Sequence, residues 1–547
     1  MIHPLSLFLI LFPVFLFSKQ KWIQATTMVV STLLCFAWFL EWSWPFSWHG
    51  FFPSLFAIDS VQPLQKLFAT TYLFVLATAS VYSWTSSHKS EVLTMIFHAL
   101  MAIGVVLAQH WIEFFVYWEL MSLASFFIVW MGPGKSAKSA GLRYLIYHSL
   151  GGGMLMVGVA WAIRDHLPFS YGSIHHPAQL FILFSCLINA ACFPFHTWIK
   201  DAYPKASIFG SVILSVFVTK TSVYALIRFF PGFAPLVVIG AFMALFGAIY
   251  ALMENNIRRL LSYHIVSQVG FMVCGVGLGT TLSLQGSAAH AVCHILYKSL
   301  LFMSAGAVVH AIGREKISSL GNLGKALPWV FCFYMIGAVS ISGFPFFNGY
   351  VSKSMVIEAA HQYAWLAWTL KAASVGTFLS VGLKLPYYTF IKNNHTDYQP
   401  TPLPRSMIIA MAVVGLMCFV VGVFPDLLYS RLPGVVDFHP YDWELFLTDV
   451  SLLGGVGLGF WIAKIWLTPS NQGYEDVDTL ILFPLAKAGK KIVNALKHIN
   501  TWMLATEKST YQKMISDSPS DAKSISFSIY MLLIMVCLLL GMMFILL

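Results

Sequence analysis

Residues 192–203 read CFPFHTWIKDAY and residues 343–354 read GFPFFNGYVSKS. Each stretch sets Phe-Pro-Phe inside a long apolar run. A proline inside a helix removes one backbone hydrogen bond and clashes with the preceding turn, so a helix break is expected at Pro194 and at Pro345. Three shared residues are a weak match in a chain with 46 phenylalanines. The place of each motif within its half of the chain turns the match into an internal echo. A matched pair of interrupted apolar helices in two halves points to the transport site of a membrane carrier.

The composition agrees. The chain has 547 residues, 58% hydrophobic and only 10% charged, where soluble proteins carry roughly 25% charged residues. Such a chain cannot cover a water-facing surface. A soluble enzyme, a disordered protein and a secreted disulfide scaffold are excluded. The apolar runs are long and lack the ten-residue alternation of membrane β-barrels. The expected fold is an all-α polytopic membrane protein with sixteen spans: 3–17, 22–40, 64–84, 92–109, 111–131, 141–163, 179–199, 207–230, 234–253, 260–279, 286–311, 329–359, 363–391, 406–430, 445–467 and 526–546. The spans at 329–359 and 363–391 are long and carry central Pro and Gly, so both are expected to be irregular.

The basic residues test this count. Of 32 lysines and arginines, 22 fall in loops on the side reached after the first span and 4 on the other. That asymmetry sets the 22 in the cytoplasm, with both termini outside. The net charge of +10 is therefore topological and gives no reason to expect a nucleic-acid partner. The N-terminus has neither a basic region before its apolar run nor an A-x-A site, so no cleavable signal is expected. The basic, partly amphipathic stretch 468–525 reads as a helix on the cytoplasmic membrane surface, or as a brace against neighbouring subunits. The eight cysteines lie in apolar segments without a C-x-x-C pair, which favours packing over an iron–sulfur cluster or zinc site. No nucleotide fingerprint is present, and no cofactor is expected.

Charges inside the spans are costly and read as functional by default. Glu119 lies mid-span in FFVYWELMSLASFF and must be protonated, paired or wetted; a structural ion pair is the plain alternative. Lys220 lies mid-span in VFVTKTSVYALIRFF, too far from either end to snorkel, and can load and release a proton. His290, His294 and Lys298, in AAHAVCHILYKSLLF, are spaced i, i+4, i+8, which stacks three protonatable groups on one helix face. They read as a hydrated relay, with a metal site as the runner-up. Lys353 follows the second break, where unpaired carbonyls and water can solvate a charge. Arg143 and Lys384 read as snorkelling residues. Lys371 has no evident place, and His98 and His148 are weaker candidates.

Four runs in order, FPFHTWIKDAYPKASIFGSVILSVFVTKTSVYALIRF, ENNIRRLLSYHIVSQVGFM, AAHAVCHILYKSLLFMSAGAVVH and SISGFPFFNGYVSKSM, resemble the antiporter-like family. That family comprises the proton-pumping membrane subunits of respiratory complex I and the large subunits of Mrp-type cation/proton antiporters. The resemblance covers about residues 92–391 and is nearest to the Mrp D-type subunit. It implies two inverted five-helix repeats, 92–230 and 234–391, each with one broken helix, and a central axis of charged residues. Glu119 matches the family's glutamate, Lys220 its lysine or histidine of the eighth helix, and His290, His294 and Lys298 its histidine–lysine helix. Lys353 matches its lysine or glutamate beyond the second break. One position departs: the family's lysine five residues before the first Pro-Phe is here Asn189, and residues 178–199 contain no lysine. The first half-channel is thus incomplete, and Lys220 is a candidate partner for Glu119 in its place.

The expected organisation is N-terminal helices (1–91), two repeats (92–230, 234–391), peripheral helices (392–467), a basic arm (468–525) and a last span (526–547). The expected function is proton and monovalent-cation translocation, sodium or potassium, in a multisubunit Mrp-type antiporter, beside other membrane subunits in a bacterial-type cell membrane. This chain would not itself be an enzyme. Two rivals leave similar marks: a proton-pumping subunit of an NADH-quinone oxidoreductase-like complex, and a non-conducting scaffold, motivated by Asn189.

Overall fold

The computed structural model describes residues 61–84, 89–169, 175–393, 399–465, 467–469 and 476. The expected spans 3–17, 22–40 and 526–546, and nearly all of the arm 468–525, lie outside the described residues. The described chain is helical, and no β-strand forms among these residues. Its principal helices are α1 (Pro63–Tyr82), α2 (Lys89–Leu107), α3 (Trp111–Trp130), α4 (Gly134–Arg164), α5 (Pro177–Asn189), α6 (Thr197–Lys205), α7 (Ile208–Val216), α8 (Val218–Phe229), α9 (Pro235–Met253), α10 (Ile257–Leu278), α11 (Thr281–Ile312), α12 (Pro328–Ser342), α13 (Asn348–Ala360), α14 (Ala364–Thr377), α15 (Arg405–Val423) and α16 (Trp443–Ala463). Among the described residues, eleven helical segments are long and apolar enough to cross a membrane. The shorter α5 and α12 are the leading halves of the two broken helices.

Both breaks are built alike. At the end of α5, Ala191 takes a left-handed φ of 55°, and Cys192 N–H donates back to the Leu187 carbonyl at 2.9 Å. At the end of α12, Gly343 takes φ 77°, and Phe344 N–H donates to the Val339 carbonyl at 3.0 Å. A left-handed residue followed by a bond reaching five residues back is the Schellman way of ending a helix. Pro194 and Pro345, which have no N–H to continue the ladder, follow within three residues. The echo in the sequence therefore corresponds to one local device used twice.

Two further irregularities position side chains. The expected span 207–230 is two helices, α7 and α8, joined at Phe217. After α14 the chain continues as π-helical turns at Phe378–Lys384 and Tyr387–Ile391. Such turns recur at functional sites.

The bundle is centred on α10 and α11, which are buried along nearly their whole length. Around α11 pack α7, α10, α12, α13 and α15, whereas α16 is largely exposed at the periphery. Helix α9 lies against α10 at backbone contact. A Cβ added at Gly247 would sit 2.5 Å from Ser267 N, and one at Gly270 would sit 2.5 Å from Ala244 N. With little hydrophobic drive between helices in lipid, such close approach supplies dispersion contact in its place. It also lets Ser267 Oγ donate to the Ala244 carbonyl at 2.8 Å.

Candidate functional site

Lys220, His290, His294 and Lys298 are wholly buried, and Lys353 nearly so. Each lysine is held by a backbone carbonyl. Lys220 Nζ donates to Ser215 O, across the joint between α7 and α8. Lys298 Nζ donates to Leu261 O of α10 at 2.8 Å. Lys353 Nζ donates to Ile341 O at 2.6 Å, the last turn of α12 before the break, and to Ser374 Oγ of α14 at 3.3 Å. An ammonium has three donors, so each site leaves capacity for water or for loss of the proton. Irregular backbone at membrane depth is tolerated where it is covered by protein or lines water, and at Lys220 and Lys353 it serves as ligand to charge.

His290 is the junction. Its Nδ1 and Ser352 Oγ of α13 are hydrogen-bonded at 3.0 Å, and its Nε2 faces Gln268 Oε1 of α10 at 3.2 Å. Ser352 Oγ also lies 3.2 Å from Asn348 O and 3.3 Å from Gly349 O. Two protonation states fit this geometry. In the neutral ring, Nε2–H donates to Gln268 and the Ser352 hydroxyl donates to Nδ1. In the protonated ring both nitrogens donate, and the Ser352 hydroxyl turns to a helix carbonyl while its oxygen accepts from Nδ1–H. A proton can arrive or leave with one hydroxyl rotation and no movement of the helices.

One turn further along α11, both ring nitrogens of His294 lack a protein hydrogen-bond partner. The ring lies edge-on to Tyr297, with centroids 5.2 Å apart. His294 is in electrostatic reach of Lys220, Lys298, His290 and Lys353, and Lys298 is in reach of Lys220. The i, i+4, i+8 row thus joins Lys220 on one side to Lys353 on the other. Among the described residues no three His, Cys, Asp or Glu side chains converge as metal ligands.

Several partners of this row were not singled out from the sequence. His264 Nε2 is hydrogen-bonded to Ser380 Oγ at 2.6 Å, in the first π-helical turn. Gln268 Nε2 donates to Thr377 Oγ1 at 3.3 Å. His264 and Gln268 stand one turn apart on α10, the same i, i+4 spacing that marks His290 and His294.

Glu119 stands apart from this row. Its Oε1 has no hydrogen-bond partner, its carboxylate lies against Gly152 of α4, and no ion pair joins it to Lys220 among the described residues. The lysine is committed to the Ser215 carbonyl instead. Asn189 is buried at the last turn of α5, and neither its Oδ1 nor its Nδ2 has a partner. Nearby in the first half, His98 Nδ1 contacts Met121 O at 3.1 Å and Ser125 Oγ at 3.0 Å. His148 stacks on Tyr144, centroids 3.7 Å apart. The Nε2 atoms of both histidines have no hydrogen-bond partner. Buried polar groups in this state take water.

The two residues expected to snorkel have protein partners. Arg143 pairs with Asp201. Lys384 donates to Leu252 O and to Glu254 O, the latter at 3.2 Å, so its charge caps the negative end of α9.

Comparison with known proteins agrees with this architecture. The family model described as "NADH:quinone oxidoreductase/Mrp antiporter, TM" matches residues 108–381. The chain is 28% identical to the A-type Na(+)/H(+) antiporter protein of Alkalihalophilus pseudofirmus, over 74% of this chain and 60% of that relative. It is 25% identical to the D-type Na(+)/H(+) antiporter protein of the same organism, over 68% of this chain and 82% of that relative. It is 26% identical to the L-type protein of the F(420)H(2) dehydrogenase of Methanosarcina mazei, over 75% of this chain and 69% of that relative. Among solved structures, a chain of an archaeal respiratory complex, the membrane-bound sulfane sulfur reductase, superposes with a TM-score of 0.70 at 19% identity, covering 98% of this chain and 99% of that one.

Proposed function

The chain belongs to the NADH:quinone oxidoreductase/Mrp antiporter membrane family, and from that premise we propose that it moves protons against a monovalent cation as one subunit of a Mrp-type antiporter complex. The observation that carries the reading is the buried row His290, His294 and Lys298, hydrogen-bonded at His290 to Ser352 of the helix that carries Lys353 and in electrostatic reach of Lys353 itself. Protons would pass from Lys220 along this row to Lys353, with Glu119 serving the entrance of the first half. Water fills the gaps between groups, and neighbouring charges set when each group holds its proton. The two repeats would be 92–230 and 234–391, with α15 beyond them packed on α11 and α16 at the periphery, both termini outside and the basic arm on the cytoplasmic side.

Likeness to the A-type and D-type proteins of a Na(+)/H(+) antiporter supports the antiporter reading. Likeness to the F(420)H(2) dehydrogenase protein supports a second reading, a proton-pumping subunit of a redox-driven complex. The energy source separates them. In proteoliposomes holding the purified complex, an imposed sodium or potassium gradient should drive proton movement. Proton movement that answers only to an added electron donor and quinone would favour the redox reading. A complex that moves no protons under either condition would favour a scaffold role.

A further inference from the structure

Asp449 interrupts the apolar helix α16, on the peripheral layer outside both proposed repeats. It lies in electrostatic reach of Lys371, Lys353 and His361. With Ser342, Gly343, Lys353, Lys371 and Ser374 it lines a cavity of about 30 Å³ beside the second helix break. A water needs roughly 10–15 Å³ of such space, so the cavity has room for about two. The lining is polar enough to hold them: a carboxylate, two ammonium groups and four hydroxyls, those of Ser342, Tyr350, Ser354 and Ser374. Lys353 lines this cavity and is also in electrostatic reach of His290 and His294, while its Nζ bonds Ile341 O at 2.6 Å and Ser374 Oγ at 3.3 Å.

The three charged residues lie at one end of the bundle. Lys353 precedes the end of α13 by seven residues, Lys371 follows the start of α14 by seven, and Asp449 follows the start of α16 by six. At 1.5 Å per residue that is about 10 Å below the helix ends. Under the orientation proposed above, this end faces outward.

We propose that Asp449 and Lys371 form, with Lys353, the outer proton-release site of the second half. The Lys353 ammonium passes a proton through a cavity water to the Asp449 carboxylate, and the protonated Asp449 gives it to outside water. Lys371 returns Asp449 to its ionised state by favouring the carboxylate once the proton has gone. The other titratable groups facing the site are His361, at the end of α13, and Tyr350, which Tyr441 and Asp442 approach from beyond the cavity. The inference rests on the proposed role of Lys353.

The test uses the purified complex in proteoliposomes, with proton flux followed by a pH-sensitive dye for the wild-type chain and for Lys353→Met, Asp449→Asn, Asp449→Glu and Lys371→Met. Asp449→Asn should slow flux by about tenfold or more, equivalent to one order in rate. Asp449→Glu should recover most of it, and Lys371→Met should displace the pH profile. Wild-type flux in Asp449→Asn beside a silent Lys353→Met overturns the release site and leaves the proton pathway standing. Wild-type flux in both overturns the pathway itself. If Asp449→Asn does not assemble, the pH profile of Asp449→Glu decides: a displaced profile supports the site, and one superposable on wild type overturns it.

Discussion

His290 Nδ1 and Ser352 Oγ, 3.0 Å apart, join the helix that carries the histidine–lysine row to the helix that carries Lys353. Ser352 is the partner that lets His290 be neutral or protonated in place. Ser352→Ala should therefore slow proton flux by about tenfold, while losing only about 1 kcal/mol of stability, the usual net worth of one hydrogen bond. Flux assays alongside thermal melting of the purified complex check both. Threonine at 352 keeps the hydroxyl and should retain most of the flux.

Lys220 is wholly buried and bonded to a carbonyl freed at the joint between α7 and α8. Lys220→Met removes the proton carrier and leaves Ser215 O unpaired, at a cost of about 1–3 kcal/mol. Flux should fall at least about tenfold with the complex still assembled. Flux equal to wild type would remove Lys220 from the pathway.

The α9–α10 contact leaves no room for side chains. Gly247→Leu would drive a side chain into the α10 backbone beside Ser267. Overpacking of this kind costs typically about 1–3 kcal/mol and more where backbone must shift. The expected result is loss of assembled complex, read from the yield of co-purifying subunits, while Gly247→Ala should be milder.

Much of this was legible in the sequence, for physical reasons. A charge in an apolar run is conspicuous, so Lys220, Lys298 and Lys353 could be picked out individually. Helical periodicity put His290, His294 and Lys298 on one face. Proline marked both breaks. What escaped was what depends on tertiary neighbours. No proline or glycine signals the joint at Phe217. The relation of Asp449 to Lys353 exists only once α16 packs beside the second break. Lys371 had no evident place for the same reason. The partners of Arg143 and Lys384, Asp201 and the end of α9, are likewise tertiary neighbours that the sequence does not reveal.

Asn189 occupies the position where the family resemblance leads one to expect a lysine, and its buried amide has no partner. If this position limits the first half, Asn189→Lys should raise proton flux or move its pH dependence. Unchanged flux at every pH would place the limiting step elsewhere. The same experiment in a Glu119→Gln background should lose any gain, because the new lysine would lack its acidic partner.

The central claim is that protons cross along the buried row on α11. The most direct measurement is proton flux through the reconstituted complex carrying Lys298→Met, with subunit composition verified to match wild type. The account predicts that flux falls to about a tenth or less with the complex intact. Flux at the wild-type rate through an intact Lys298→Met complex would contradict it.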